Sequence, residues 1–466
     1  MLILKYSRHS ILFFSLLAIL FWAPLPLGSN RPWAWSILEV AIFALTLGCV
    51  ILKKDVEFLG LQKFKSVIAI WAVFLVFATL QVLPLPEYII NLVSPNAKLV
   101  PDASYGYLST DVGQTKVSLL KSFAYFCLFL CSLVLINDEK RVKQTLTLLL
   151  IVGSLQGLYG ILEILLGGKF SLVFNLPIEE VATGTFVYKN HFANFLMLCL
   201  SAGTGLIIAS LNNNQSMSRR DWSRAIVSSL LGNKALVRIC LAIMVIALVM
   251  SRSRMGNTAF FAALTLVGIY ALFADKKRSR GLSILVVSMI IIDLLIVSSW
   301  FGLDKVQQRL TETSLAQEGR DEVVIDASVI VADFPIAGTG GGSFYSVFPS
   351  YKKADVYAFY DQAHNDYLQT LIEYGFVGFI CLAAIVTLCF ISAVAAIRKR
   401  KSSLYKGAAF ASLMAIIGML IHMTVDFPLQ AAANASYFVV FLAIALMSSV
   451  NVSTRSRSTR RIKNGD

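Results

Sequence analysis

Several short stretches of this 466-residue chain set residues able to move a proton or hold a phosphate beside long apolar runs. His364-Asn365-Asp366-Tyr367 stands directly before one such run. Histidine is the side chain best suited to take a proton from a hydroxyl near neutral pH, while Asn365 or Asp366 also fits a helix cap. Lys189-Asn190-His191 opens another run, after Gly184-Thr185-Phe186. A cation and a histidine at a helix N-terminus combine a point charge, free N–H groups and the positive helix end, the parts of an anion site. The bland alternative is a cap at Asn190 with an interfacial Lys-His pair. Ser251-Arg252-Ser253-Arg254 fills a tight turn and offers either guanidinium forks for phosphate oxygens or arginines that snorkel to headgroups. Gly319-Arg320-Asp321 opens a helix, which the turn from Pro335 to Gly342 ends. Its glycines could bring backbone N–H groups against a phosphate or a sugar. His422 and Asp426 are four apart and share a helix face, as a functional pair at membrane depth or as a structural hydrogen-bonded pair.

The elements that must position these residues are membrane helices. The chain is 57% hydrophobic and 15% charged, against about 45–50% and about 25% in soluble domains, and its mean hydropathy is +0.72. Runs long enough, or nearly so, to span about 20 residues of bilayer are 11–27, 35–52, 66–83, 118–136, 145–166, 192–211, 238–250, 257–274, 282–301, 371–397, 407–424 and 434–450. This predicts an all-α, polytopic fold of about 12 transmembrane helices. The net charge of +14 is explained by placement rather than by nucleic acid. Most basic residues fall in alternate connections, including 53–65, 140–143, 398–406 and the tail, so the positive-inside rule sets both termini in the cytoplasm. The opening segment, with Lys5 and Arg8, has a poor cleavage site at Pro24-Leu25-Pro26 and reads as the first helix rather than a signal peptide. All seven cysteines lie in apolar runs and read as core residues, with neither a disulfide framework nor a metal site indicated.

The expected organisation is 1–301 with helices 1 to 9, a large external loop 302–370 between helices 9 and 10, helices 10 to 12 in 371–450, and a basic tail 451–466. The loop is too aromatic for a disordered linker (Phe344, Tyr345, Phe348, Tyr351, Phe359, Tyr360) and reads as a lid. Inside the spans the exceptions to apolarity are Glu163 and Asp293. A transporter or flippase would place ionisable groups near the midplane, whereas these two lie in outer halves or near helix ends, so transport is kept only as the alternative reading.

GTFVYKNHFANFL (184–196), SRSRMG (251–256), Gly319-Arg320 with DFPIAGTGGGSF (to 344), HNDYLQTLIEYGFVG (364–378) and HMTVDFPLQAAANA (422–435) together resemble the O-antigen ligase and polymerase superfamily of bacterial envelope glycosyltransferases. PLPLGSNRPWAW (24–35) is similar to its exopolysaccharide branch. The resemblance implies a GT-C-like, metal-independent enzyme of the inner membrane that needs no cofactor and works at the periplasmic face. It would move a glycan from undecaprenyl diphosphate to a hydroxyl of lipid A-core or of a lipid-linked repeat unit. On this resemblance His364 is the general base, and Lys189, Arg252, Arg254 and Arg320 hold the diphosphate. His191, Asp366, His422 and Asp426 are secondary candidates. Lys189 stands where relatives often carry arginine, and Tyr188 where they often carry asparagine.

Overall fold

The computed structural model describes residues 2–52, 58–96, 100, 106–167, 169–177, 180–211, 233–274, 315–353, 356 and 359–450. In lipid every backbone polar group must be satisfied within its own segment, so apolar runs of this length become helices. They are α1 (Leu2–Trp22), α2 (Pro32–Leu52), α3 (Lys65–Leu80), the short α4 (Glu87–Val93), α5 (Val112–Leu135), α6 (Glu139–Leu165), α7 (Lys189–Ser210), α8 (Asn233–Met250), α9 (Arg254–Ala274), α10 (Leu315–Asp333), α11 (Asp366–Lys399), α12 (Ser403–His422) and α13 (Ala432–Ser449). Nine helices among the described residues are long and apolar enough to cross a membrane, and the apolar parts of α1 and α8 are shorter. The described residues are all-helical, with the spans of a multi-pass membrane protein. The expected span 282–301, the first part of the long loop (302–314) and the basic tail lie outside the described residues.

The expected run 11–27 ends early. α1 stops at Trp22 because Pro24 and Pro26 can neither donate to the helix nor fit its interior. The chain then turns through Leu27, Gly28 and Ser29, all with left-handed backbone (φ 57°, 65° and 53°). The run 257–274 begins earlier than expected, so that Arg254 becomes the first residue of α9.

α7 and α12 form the central pair. They cross at Gly205 and Gly407, where a Cβ on either glycine would collide with the carbonyl oxygen of the other. Small residues that let backbones approach are how helices associate where no hydrophobic force acts between them. α13 runs through the middle of the bundle against α5, α7, α11 and α12 and is buried along almost its whole length. α6, α8 and α9 pack on the α7 side, and α2, α3 and α5 form the other flank.

The starts of α7, α9 and α11 and the ends of α3, α8 and α12 meet at one end of the bundle, termed here the loop end. There α10 lies outside the bundle and builds a core of its own from Val323, Ala327, Ile330, Phe334, Phe344 and Phe348, closed from below by Ile372 of α11. At the opposite end sit the basic connections, with Arg141 bonded to the last turn of α5 (Nη1 to Leu135 O, 2.9 Å) and Arg400 stacked over Tyr405.

Candidate active site

Asn365 begins α11. Its Oδ1 accepts from the N–H groups of Tyr367 (3.0 Å) and Leu368 (3.1 Å), which satisfies donors that a helix start leaves open. Its Nδ2 donates to Thr424 O (3.0 Å), and the Asp366 N–H reaches Met423 O and Asp426 O. Asp366 Oδ2 in turn accepts from Leu429 N (3.1 Å). The start of α11 is thereby stitched to the turn between α12 and α13. His364, just before this seam, has a left-handed backbone (φ 49°), a conformation rare outside glycine, asparagine and aspartate and often found where function fixes a side chain. Its ring meets the edge of Phe427 at 4.8 Å and of Tyr360 at 5.8 Å.

Phe427 is the hub that the sequence reading missed. Besides His364 it contacts the ring of His191 (5.0 Å, perpendicular) and stacks on Tyr188 (5.5 Å, 9°). The first turn of α7 and the start of α11 therefore meet across one aromatic side chain. His191 Nε2 donates to Phe427 O (3.2 Å), and the His191 carbonyl accepts from Asn434 of α13 (3.0 Å). Lys189, half-buried, is the first residue of α7. Tyr188, not Asn190, occupies the cap position, and the Asn190 amide donates to the Tyr188 hydroxyl (2.7 Å).

His422 lies deeper and is fully buried. Asn194 of α7 donates to its Nδ1 (3.0 Å), and its Nε2 stands 3.9 Å from Asp426 Oδ2. Asp426 Oδ1 accepts from the Phe427 N–H (2.9 Å). The pair is a clasp between α7, α12 and the Phe427 turn.

Arg252 and Arg254 are exposed at the turn between α8 and α9. Ser251 and Ser253 shape this turn: Ser253 N donates to Ser251 Oγ and Gly256 N to Ser253 Oγ, both at 3.2 Å. Arg252 also has left-handed backbone (φ 51°). Gly256 abuts Ala193, and Ala182 N bonds Met250 O (3.1 Å), so the arginine turn lies beside the first turns of α7. Arg320 belongs to α10, and its side chain lies outside the described residues.

The glycine-rich turn does something other than the sequence suggested. Its N–H groups face the protein's own backbone and a carboxylate rather than an open anion site. α11 is interrupted at Gly375 (φ 59°, ψ −169°), and the exposed carbonyls of Ile372 and Glu373 accept from Thr339 N (2.8 Å) and Gly340 N (2.9 Å). Phe376 N beyond the break donates to Pro335 O (2.8 Å), and Gln81 Nε2 of the α3 end bonds both Ala337 O and Glu373 O. The N–H groups of Gly342 and Phe344 lie close to the Glu373 carboxyl. Successive N–H groups in such a turn form an anion cradle, and here Glu373 fills it. Gln369 extends the network, bonding Glu373 Oε1 (3.0 Å), Gln362 Oε1 and the Ala363 N–H beside His364.

Lys121 was also missed. It is set in α5 with Glu39 and Glu373 in electrostatic reach and its ammonium 3.5 Å over the Trp35 ring. Long hydropathy windows average such single charges away, which is why only Glu163 and Asp293 stood out. Lys121, Glu373, Gln369 and Asp366 all face a cavity of about 730 Å³ between α2, α3, α5, α11, α12 and α13. Lys189, His364, Arg252 and Arg254 do not line it.

Outside the spans, burial would raise the Asp326 carboxyl of α10. The N–H and ammonium of Lys353, each 2.9 Å away, outweigh it and hold the group below the usual carboxylate range. Burial and the hydrogen-bonded carboxylate of Asp333 push the Tyr351 phenol up. Among the described residues no group of three His, Cys, Asp or Glu side chains could hold a metal ion.

Among curated proteins no sequence matches the chain. Residues 239–383, which include the Arg252–Arg254 turn, Arg320, the glycine-rich turn and His364, match the family model described as O-Antigen ligase, and in this stretch the chain is similar to that superfamily.

Proposed function

We propose that the protein is a metal-independent glycosyltransferase that moves a glycan from a lipid diphosphate, undecaprenyl diphosphate in bacteria, to an acceptor hydroxyl. The loop end faces the periplasm, and both termini lie in the cytoplasm. One observation carries the reading. α7 and α9 each open at the loop end on a cation, Lys189 and Arg254, with no acidic residue in the first turn, beside the aromatic hub that holds His364. A helix start favours an anion and disfavours a cation, so two adjacent starts that carry cations leave a positive region suited to a diphosphate.

In the reaction the acceptor hydroxyl gives its proton to the His364 imidazole as its oxygen bonds to the anomeric carbon. The bond from that carbon to the phosphate oxygen breaks, and the leaving diphosphate takes the electron pair, with inversion at carbon. Such a leaving group needs cations for its developing charge more than it needs a proton. Lys189, Arg252, Arg254 and Arg320 supply them. His191, Asp366, His422 and Asp426 are positioning residues that act through Phe427 and the α11 seam. The acceptor is lipid A-core in a ligase and a lipid-linked repeat unit in a polymerase.

Polysaccharide transport, the second reading, is favoured by one observation, the charged pair Lys121 and Glu373 facing a cavity within the bundle. At 1.5 Å per residue these groups sit only about 10–14 Å below the loop-end starts of their helices, short of the midplane position typical of transporters.

The test is His364→Ala in the full-length protein reconstituted in lipid with a lipid-diphosphate glycan and acceptor. Transfer is expected to vanish while membrane insertion and donor binding persist. Transfer at the wild-type rate would remove His364 as base.

A further inference from the structure

The cavity of about 730 Å³ has the size of a ligand site between bundle helices, and its lining changes with depth. The part nearer the loop end carries Arg31, Gln114, Lys121, Gln369 and Glu373, with the flat rings of Trp35, Tyr125 and Tyr374 among them. The deeper part is apolar, with Leu382, Ile385, Val386, Val439 and Leu442. A second, open groove of about 450 Å³ runs along the outside of α11 against Ile70 of α3. It shares Phe379, Ala383 and Thr387 with the cavity. These three lie four apart on one face of α11, and two of them are small, so this face of α11 is the wall that cavity and groove share.

The charges say what the polar part recognises. Its cations, Arg31 and Lys121, share the space with Asp361, Asp366 and Glu373. Lys121 is also opposed by Glu39. Mixed, mutually compensated charges with amides and hydroxyls do not favour a diphosphate. They do suit a polyhydroxyl ligand, whose groups both donate and accept, with aromatic faces to cover the C–H surface of sugar rings. The cations Lys189, Arg252 and Arg254 instead lie on the α7 and α9 side. Between the two regions runs the seam of Phe427, His364 and Asp366, and Asp366 lines the cavity while His364 adjoins it in sequence.

We infer that this cavity is the acceptor site and takes a membrane-anchored glycolipid, its short uncharged glycan in the polar part and its hydrocarbon tail leaving between α3 and α11. This rests on the transferase reading above. It adds that donor and acceptor approach His364 from opposite sides, and that the acceptor enters sideways from the bilayer.

The experiment uses the full-length protein in lipid nanodiscs and a maltoside whose dodecyl chain bears a diazirine, at sub-micellar concentration. Photolysis is expected to label Ile70 and the 379–388 stretch of α11. Excess plain dodecyl maltoside should suppress the labelling at least tenfold, and dodecylphosphocholine, with the same tail and no sugar, should not. Labelling elsewhere, or equal suppression by both, overturns the proposal. Ala383→Trp narrows the passage and is expected to lower the labelling at least tenfold while inorganic diphosphate still binds. Arg254→Ala is expected to do the reverse. Lost maltoside labelling with intact, Arg254-dependent diphosphate binding would sink the acceptor site alone, and the opposite pattern would sink the donor reading alone. In transfer assays Ala383→Trp should raise KM for the acceptor. A raised KM for the donor instead would assign the cavity to the donor. If Ala383→Trp fails to insert, the labelling map and competition on the unaltered chain decide.

Discussion

His364 and Arg252 both hold left-handed backbone, Arg252 within a turn shaped by Ser251 and Ser253 and His364 at a junction bonded on both sides. The bonds at that junction are the Asn365 cap, those of Asp366 to the α12–α13 turn, and Gln369 on the Ala363 N–H. As the proposed base, a histidine fixed in this way would need no rearrangement when the acceptor arrives. The arginines have the opposite character, exposed on a turn built by serines, and their value is in their geometry. Replacing Arg254 by lysine keeps the charge but removes the fork. Loss of one charge-assisted hydrogen bond, worth about 1.5–3 kcal/mol, is expected to slow transfer about ten- to hundredfold. Arg238→Lys at the opposite end is the control, and equal rates for the two variants would favour headgroup snorkelling at Arg254. His364 and the arginines were legible in the sequence because a titratable residue beside a long apolar run stands out. Phe427 was not, since an aromatic at a helix end reads as an ordinary interface residue until two histidines are seen against it.

At the scale of elements, the interrupted helix α11 does most to set the site. Nothing in the run from Tyr374 to Phe376 announces a break, because the apolar pattern continues through it. Only the backbone at Gly375 and its fit against the 335–344 turn reveal it. A Cβ at Gly375 would collide with the Ile336 carbonyl, and the conformation itself costs other residues about 1–3 kcal/mol. Gly375→Ala is therefore expected to lower the melting temperature and the inserted yield sharply. Gly60→Ala, where a Cβ meets nothing within 4 Å, should be nearly silent. The glycine-rich turn shows why motif reading stops short here: the same N–H groups serve a bound anion or the chain's own Glu373, and spacing alone does not distinguish them. α10 is tied down separately by Asp326 and Lys353. An acid whose folded pKa is lowered adds stability above its unfolded value, about 3.9, and that stability is lost as pH falls through the lower folded value. Asp326→Asn should therefore reduce the melting temperature at pH 7, with the difference from the unaltered protein closing as the pH falls below about 3.9. A difference that persists undiminished at the lowest pH would show that the ion pair is not its cause.

For the whole molecule, hydropathy recovered most of the bundle because a bilayer imposes one length and one polarity on every crossing. What it could not give was which helices touch, since lipid-facing and partner-facing apolar residues look alike in sequence. The contact between α7 and α12 is the example, closest at two glycines far apart in the chain, Gly205 and Gly407, and continued by Met197 against Gly418 and Asn194 on His422. The two glycines lie well away from Lys189, His191 and His422, with about 24 Å of α7 between Gly205 and Lys189. The glycine pair is the closest point of a contact that runs along both helices to Asn194 and His422 at the site end. A change of about 5° in their crossing would carry Lys189 by about 2 Å, enough to spoil a reacting geometry. Helices meet a mismatched bilayer by tilting, so transfer is expected to depend on membrane thickness. Transfer measured in bilayers of increasing acyl length is expected to pass through a maximum, and Gly407→Ala, by wedging the helices apart, should shift that maximum to another thickness.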